Sequence, residues 1–324
     1  MMQLMKGGIK AFTGNANKKF ALDVCKSLRM PLGDCEVKTF SDGEIAVNIN
    51  ESVRGYDIYL IQPTCPPVNN NIMESLILID AFKRASAGRI NAVIPYYGYA
   101  RQDRKTRGRD PITAKLIANL FERAGADRII TMDLHAGQIQ GYFDIPVDHL
   151  MAAKTLANYF SKIIKENPGE EFVVASPDLG GVTRARKFAD FLHTSIVIIE
   201  KFRPRPNVSE VMNIIGDIEG KNVIIIDDII DTAGTITNAV DALKARGAKK
   251  VYITATHGLF SGPAYERIQK SDIEKCVVTD TIPLKEGVDT SKIEVISVAP
   301  YFARVIRRIN NDESVSVLFD AEGI

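Results

Sequence analysis

The sequence predicts an α/β protein layered around largely parallel sheets, and three observations carry that expectation. Apolar runs of strand length alternate with segments of helical period along most of the 324 residues. One such run, Val223 to Ile226, passes through a short acidic loop directly into a helix-period segment, Ile236, Ala239, Val240, Leu243. A stretch beginning at Thr113 recurs at Thr235, an offset of 122 residues, as two copies of one fold would show.

Taken in order, the predicted strands are DIYLIQPT (57–64), RINAVIPYY (89–97), DRIITMD (127–133) and EFVVASPD (171–178). SIVIIEKF (195–202), NVIIIDD (222–228), KKVYITATHG (249–258) and IEVISVAP (293–300) follow. Each is rich in the β-branched residues that suit a strand covered on both faces. Helical periodicity predicts helices over MESLILIDAFKRA (73–85) and HLMAAKTLANYFSKII (149–164), and RPRPN after SIVIIEKF reads as the start of a loop. In the repeat, TAKLIANLFERAGADRIITMDLH lies over TITNAVDALKARGAKKVYITATH, matching Gly125 with Gly247, Ala126 with Ala248 and His135 with His257. Two domains follow, with a boundary near residues 146–153, as the length also suggests.

Composition narrows the class. The chain carries 41 basic and 40 acidic side chains, a net charge of +1, so no global field draws nucleic acid or a membrane surface. The start MMQLMKGGIKAF has no signal-peptide core and no run approaches a membrane span, which points to a cytoplasmic protein. Cys25, Cys35, Cys65 and Cys276 have no CxxC spacing and read as free thiols. No GxxxxGK[ST] occurs, so any ATP site uses another arrangement than a P-loop.

The acidic loop carries the sharpest chemistry. After the apolar strand come Asp227, Asp228 and Asp231, then the small-residue turn Thr232-Ala233-Gly234-Thr235 and a helix. A helix start offers unpaired N–H groups to an anion, small residues let the backbone close on a phosphate, and the threonine hydroxyls add donors. Carboxylates beside a phosphate cradle would repel it unless they accept hydrogen bonds from sugar hydroxyls or share a metal with the ligand. A phosphorylated sugar satisfies both halves, and the alternative is an ordinary strand-to-helix turn. The pattern resembles the 5-phosphoribosyl-diphosphate loop of type I phosphoribosyltransferase folds.

Other segments are ambiguous singly. Arg101, Arg104, Lys105, Arg107 and Arg109 crowd into nine residues, either a solvated loop or a polyphosphate site. FSDGE (40–44) is a turn signal. His135 and Asp178 stand at predicted strand ends, where a satisfied polar residue or a metal ligand would both fit.

Together, in one order, FSDGE, YARQD (99–103), MDLHAGQIQGYFDIPVD (132–148), SPDLGG (176–181), KFRPRPN (201–207) and the DDIIDTAGT loop resemble the ribose-phosphate diphosphokinase family, phosphate-activated class. The likeness runs from FTGNAN near the start to SVSVLF near the end. It implies two tandem type I phosphoribosyltransferase-like domains, residues 1–150 completed by the tail 311–324, and residues 151–310. It also implies that the diphosphate of ATP passes to the anomeric hydroxyl of ribose 5-phosphate, giving 5-phosphoribosyl 1-diphosphate and AMP. ATP would bind Phe40, Asp42, Gly43, Glu44, Arg101 and Gln102, and magnesium would use His135 and Asp178. Ribose 5-phosphate would take Arg203, Asp227, Asp228 and Asp231 to Thr235, with Lys201 and Arg203 as the catalytic cations. Phe202 stands between those cations where many relatives carry a polar or charged residue.

The resemblance further implies a homo-oligomer, a hexamer, inhibited by ADP and activated by inorganic phosphate. The matching positions are Ser52, Arg54, Ser86, Arg109, Ser314, Val315, Ser316 and Phe319. Two alternatives differ in class. A phosphoribosyltransferase would leave the ATP-side motifs and the second copy unexplained. A non-catalytic regulatory relative would show a disrupted Lys201/Arg203 pair or altered magnesium positions, and this sequence keeps both.

Overall fold

The computed structural model describes residues 8–202 and 211–318, without the side chains of 201, 202, 211 and 212. The chain begins with β1 (Ile9–Phe12), α1 (Lys18–Leu28) and a hairpin of β2 (Cys35–Thr39) and β3 (Ile45–Ile49). There follow β4 (Asp57–Ile61), α2 (Val68–Arg84), β5 (Arg89–Ile94), α3 (Thr113–Ala124), β6 (Arg128–Met132), a 3₁₀ turn at Gly137–Tyr142, and β7 (Val147–Leu150). The next elements are α4 (Ala153–Glu166), β8 (Phe172–Ser176), α5 (Val182–Leu192), β9 (Ser195–Phe202), β10 (Val211–Ile215) and β11 (Asn222–Ile230). Last come α6 (Gly234–Ala245), β12 (Val251–Gly258), α7 (Ala264–Lys270), β13 (Lys275–Thr279), β14 (Ile293–Ile296) and α8 (Ala299–Asn310).

Two compact units result. The described part of the first holds Gly8 to Met151, Thr281–Pro283 and Ser297 to Leu318; the second holds Ala152–Asp280 and Leu284–Ile296. The first sheet has the order β1-β4-β5-β6-β7, parallel throughout. The second has the order β10-β9-β8-β11-β12-β13-β14, parallel except for the β9–β10 edge pair. The α/β class predicted from alternation is therefore observed. Among the described residues no helix is long and apolar enough to cross a membrane.

The central strands are apolar because helices cover both faces. β4 and β8 are buried at every position, as is β12. In the second unit Phe160 of α4 meets Phe188 of α5 at 6.1 Å and Tyr252 of β12 at 5.9 Å, both edge to face. In the first, Phe20 of α1 meets Phe302 of α8 at 5.4 Å in the same geometry. That contact explains why α8, which the resemblance assigned to residues 151–310, belongs to the first unit.

The repeat is a real βαβ correspondence. β5-α3-β6 and β11-α6-β12 match, and Gly125 and Gly247 close both helices at positive φ, 123° and 88°. The copies differ at the strand-to-helix connection: residues 95–112 separate β5 from α3, but only 231–233 separate β11 from α6. His135 is exposed beyond the end of β6, whereas His257 is buried within β12. The paired histidines thus occupy different environments.

Two boundaries depart from expectation. The helix predicted over 149–164 begins at Ala153, because His149 and Leu150 pair with Thr131 and Met132 as the end of β7. The predicted strand 293–300 stops at Ile296, since Ala299 and Pro300 open α8, where proline fits the first turn.

Strand order also locates a crevice. From β8 the chain runs to β9 and β10 on one side, then returns to β11 and onward on the other. Adjacent connections leaving a sheet in opposite directions open a cleft beyond the strands' carboxyl ends. In the first unit β4 to β7 advance in one direction, with no such reversal.

Candidate active site

The loop that the sequence reads as a sugar-phosphate site lies at the β8/β11 reversal. β11 is longer than its apolar run and carries Asp227 and Asp228 inside the strand. Asp228 is buried, with 5% of its side chain exposed, and Asp227 is half-buried. Arg184, from the first turn of α5, places Nη1 at 2.9 Å from Asp227 Oδ1 and 3.2 Å from Asp228 Oδ1. The Asp228 N–H donates to Asp227 Oδ1 at 2.8 Å. Burial pushes the Asp227 carboxyl up to about 7, reinforced by the neighbouring Asp228 and opposed by Arg184. Sequence reading missed Arg184, which holds both carboxylates. Six residues beyond Asp178, it reads as one more surface cation until the fold sets α5 beside β11.

The turn itself is strained. Ala233, the residue before α6, has φ 60°, left-handed backbone that a non-glycine residue adopts at a cost of about 1–2 kcal/mol. Thr237 N and Oγ1 donate to the Ala233 carbonyl at 3.0 and 2.9 Å, closing the first turn from below. Thr232 and Thr235 are exposed, Gly234 and Asp231 half-exposed. All five predicted turn residues therefore sit at one helix start with two carboxylates immediately before it.

Asp178 caps the neighbouring helix. Its Oδ1 accepts from Gly181 N at 2.8 Å, and its carbonyl accepts from the Ser176 hydroxyl at 2.6 Å. A Cβ on Gly181 would lie 2.8 Å from Ser176 Oγ, so a side chain there would displace the serine hydroxyl. The side chain of Asp178 is exposed at the end of β8, the strand adjacent to β11.

The first unit holds the other predicted residues on inserted loops. Residues 40–44 are the tip of the β2–β3 hairpin, closed by Phe40 N to Glu44 O at 2.7 Å and Glu44 N to Asp42 Oδ1 at 3.0 Å. Gly43 takes φ 96° there, and Phe40 is 59% exposed, an apolar side chain open to solvent. Arg101 and Gln102 belong to the long β5–α3 connection. Gln102 Oε1 accepts from Thr113 Oγ1 at 2.5 Å, and its carbonyl accepts from Ala114 N at 3.1 Å, fixing the loop on the start of α3.

The basic cluster 101–109 is exposed at all five cations, Arg109 among them. Asp103 points the other way: buried, it accepts from Gln138 Nε2 at 2.8 Å while Tyr142 OH donates to its carbonyl. Asp110 accepts from Thr106 Oγ1 at 2.6 Å and Arg107 N at 2.8 Å, which holds its carboxyl below the usual range. Both acids brace the loop internally.

His135 is exposed just past β6. The backbone before it is held by His149, whose Nε2 accepts from Leu134 N at 2.9 Å; burial depresses the His149 pKa, opposed by Asp133. Among the described residues no three His, Cys, Asp or Glu side chains converge on a ready-made metal cage. Lys201 lies in β9, paired with Met212 of β10. Arg203 and Phe319 lie outside the described residues.

The remaining predicted positions are in the first unit. Ser52 and Arg54 are exposed in a turn tied to Ser86, whose carbonyl accepts from Gly55 N at 2.9 Å and whose own φ is 63°. Ser314 and Ser316 bring their hydroxyls to 2.7 Å beside half-buried Val315, and Arg308 donates to the Ser314 carbonyl.

Comparison with known proteins accounts for this arrangement. Residues 9–125 match the N-terminal domain of ribose phosphate pyrophosphokinase, and residues 203–320 match a phosphoribosyl synthetase-associated domain. A ribose-phosphate pyrophosphokinase of Clostridium perfringens is 62% identical over 96% of this chain and 97% of its own. One from Bacillus cereus is 58% identical over 98% and 99%. The crystal structure of phosphoribosylpyrophosphate synthetase from Mycobacterium smegmatis, 43% identical, superposes with a TM-score of 0.89 over 94% of this chain and 100% of that one. On identity of this order over nearly the whole of both chains, the chain belongs to the ribose-phosphate pyrophosphokinase family.

Proposed function

We propose that the two units divide the substrates of one diphosphate transfer, ribose 5-phosphate on the second and ATP on the first. The chain is an enzyme of the ribose-phosphate pyrophosphokinase class. The observation that carries the division is the loop at the β8/β11 reversal. Two carboxylates held by Arg184 stand immediately before a left-handed turn and a helix start. Carboxylates accept from ribose hydroxyls, and the amides of the turn face a 5-phosphate. Asp227 and Asp228 then orient the sugar, and Asp231 to Thr235 seat its phosphate.

The exposed Phe40 ring suits an adenine face, and the cations at Arg101 to Arg109 suit a triphosphate. The oxygen of the anomeric hydroxyl attacks the β-phosphorus, the bond from that phosphorus to the oxygen bridging it to the α-phosphorus breaks, AMP leaves with that oxygen, and the hydroxyl proton passes to solvent. Lys201 and Arg203 neutralise charge on the transferring group.

His135 and Asp178 are each exposed, and each would offer one donor to magnesium, an ion that keeps water and phosphate oxygens and seldom uses an all-protein cage. Magnesium held by such a donor would supply charge neutralisation on the triphosphate. The same reading gives ADP and inorganic phosphate as effectors and a cytoplasmic homo-oligomer, a hexamer.

The division is tested by steady-state kinetics. Asp228→Asn should raise KM for ribose 5-phosphate tenfold or more, roughly the loss of one charged hydrogen bond, with KM for ATP little changed. Arg101→Ala should do the reverse. If either variant shifts the KM of the wrong substrate, the assignment of substrates to units fails.

A further inference from the structure

We propose that Arg267 is a positioning residue for the sugar-phosphate loop, holding the loop's peptides so that their amides face the ligand. The inference rests on the reading of residues 227–235 as the ribose 5-phosphate site.

An anion site made of backbone needs its carbonyls turned away, because a carbonyl oxygen aimed at a phosphate repels it. In a trans peptide the C=O and the following N–H point in opposite directions, so fixing one aims the other. Here four successive carbonyls are engaged. The Ile230 carbonyl accepts from Leu259 N at 2.9 Å and Phe260 N at 3.1 Å, and the Asp231 carbonyl accepts from Ser261 N at 3.0 Å. The Thr232 carbonyl accepts from Arg267 Nη1 at 2.9 Å, and the Ala233 carbonyl from Thr237. The β12–α7 segment thus forms a collar behind the turn, and the amides of residues 232–234 are left to the opposite side.

Of the three carbonyls that this collar holds, those of Ile230, Asp231 and Thr232, the described residues show only that of Thr232 held by a side chain. Its peptide precedes Ala233, whose left-handed φ of 60° is the costly conformation of the turn. A strained residue persists only when its neighbours over-determine it, and the guanidinium fixes the plane on one side of that φ while Thr237 holds the other. Gly234 belongs to the same arrangement. A Cβ there would stand 3.0 Å from Arg267 Nη1 and 3.6 Å from its Cζ, so the glycine gives the guanidinium its seat as well as opening the turn. The interaction also sets a formal positive charge behind amides that already carry the dipole end of α6.

The test compares the wild type with Arg267→Met, which keeps the stem and loses the donor, and with Arg267→Lys, which restores a cationic donor. Steady-state kinetics on the full chain read KM for each substrate and kcat. Arg267→Met should raise KM for ribose 5-phosphate about tenfold while KM for ATP and kcat stay within about twofold, and Arg267→Lys should recover most of the loss. A wild-type KM for ribose 5-phosphate in Arg267→Met overturns the proposal. So does a variant that fails to fold or raises both KM values together, since either makes Arg267 a brace for α7. Asp228→Asn serves as the reference. If it too leaves KM for ribose 5-phosphate unchanged, the loop assignment itself falls; if it raises KM and Arg267→Met does not, only the role of Arg267 falls.

Discussion

Replacing Arg184 by methionine should destabilise the second unit in a way that depends on pH. Arg184 Nη1 stands 2.9 Å from Asp227 and 3.2 Å from Asp228, of which Asp228 is 5% exposed. Removing one partner of a fully buried ion group costs about 3–5 kcal/mol, because the remaining charge is left without compensation. The Arg184 side chain is 26% exposed and Asp227 29%, so solvent screens part of the interaction and a loss of about 2 kcal/mol is expected. For a unit of this size that lowers Tm by about 4–8 °C.

The sign of the pH dependence follows from Asp227. Its folded value is raised by burial, to about 7, above an unfolded value of about 3.9. Between those two values the folded chain holds a proton that the unfolded chain has lost, so this group makes stability fall as pH rises through that window. Arg184 opposes the rise, and without it Asp227 keeps its proton still higher. Wild type and Arg184→Met should therefore differ less at pH 5.5, where Asp227 is protonated in both and only the contact with Asp228 is lost, than at pH 8.5, where both contacts are lost. Thermal unfolding at the two pH values, followed by circular dichroism, reads the difference. An equal drop at both would mean that Arg184 does not act through Asp227, and this account of the pH dependence would be wrong.

Ala233→Val places a β-branched residue at φ 60° in a buried site, which should cost about 2 kcal/mol in urea unfolding and raise KM for ribose 5-phosphate; an unchanged KM would show that the turn's conformation does not matter to the ligand. Native alkylation at pH 8 should spare Cys25 and Cys65, whose thiols burial pushes up to about 11 and 12, and Cys276, raised further. Half-buried Cys35 should react first, as mass spectrometry of the peptides can check.

Much of the fold was legible because parallel strands covered on both faces must be apolar throughout. NVIIIDDII and SIVIIEKF could hardly be anything else, and β9 has the predicted limits. Short edge and hairpin strands were not legible. β7 is VDHL, whose alternation is lost in the helix-period stretch that follows, and only pairing with β6 reveals it. The acidic loop stood out as a candidate because its carboxylates and its small-residue turn lie together between Asp227 and Thr235. Arg184 and Arg267 did not, since their partners, a carboxylate and a carbonyl, lie 43 and 35 residues away in sequence. The reversal at β8/β11 is likewise a property of strand order, which no local pattern encodes.

The most direct test of the central claim is a product balance by ³¹P NMR, with ATP, magnesium and the full chain, in the presence and absence of ribose 5-phosphate. AMP and 5-phosphoribosyl 1-diphosphate should form in equal amounts, only when the sugar is present, with little of either from Lys201→Ala. ADP with a sugar bisphosphate, or AMP formed equally without the sugar, would contradict the claim.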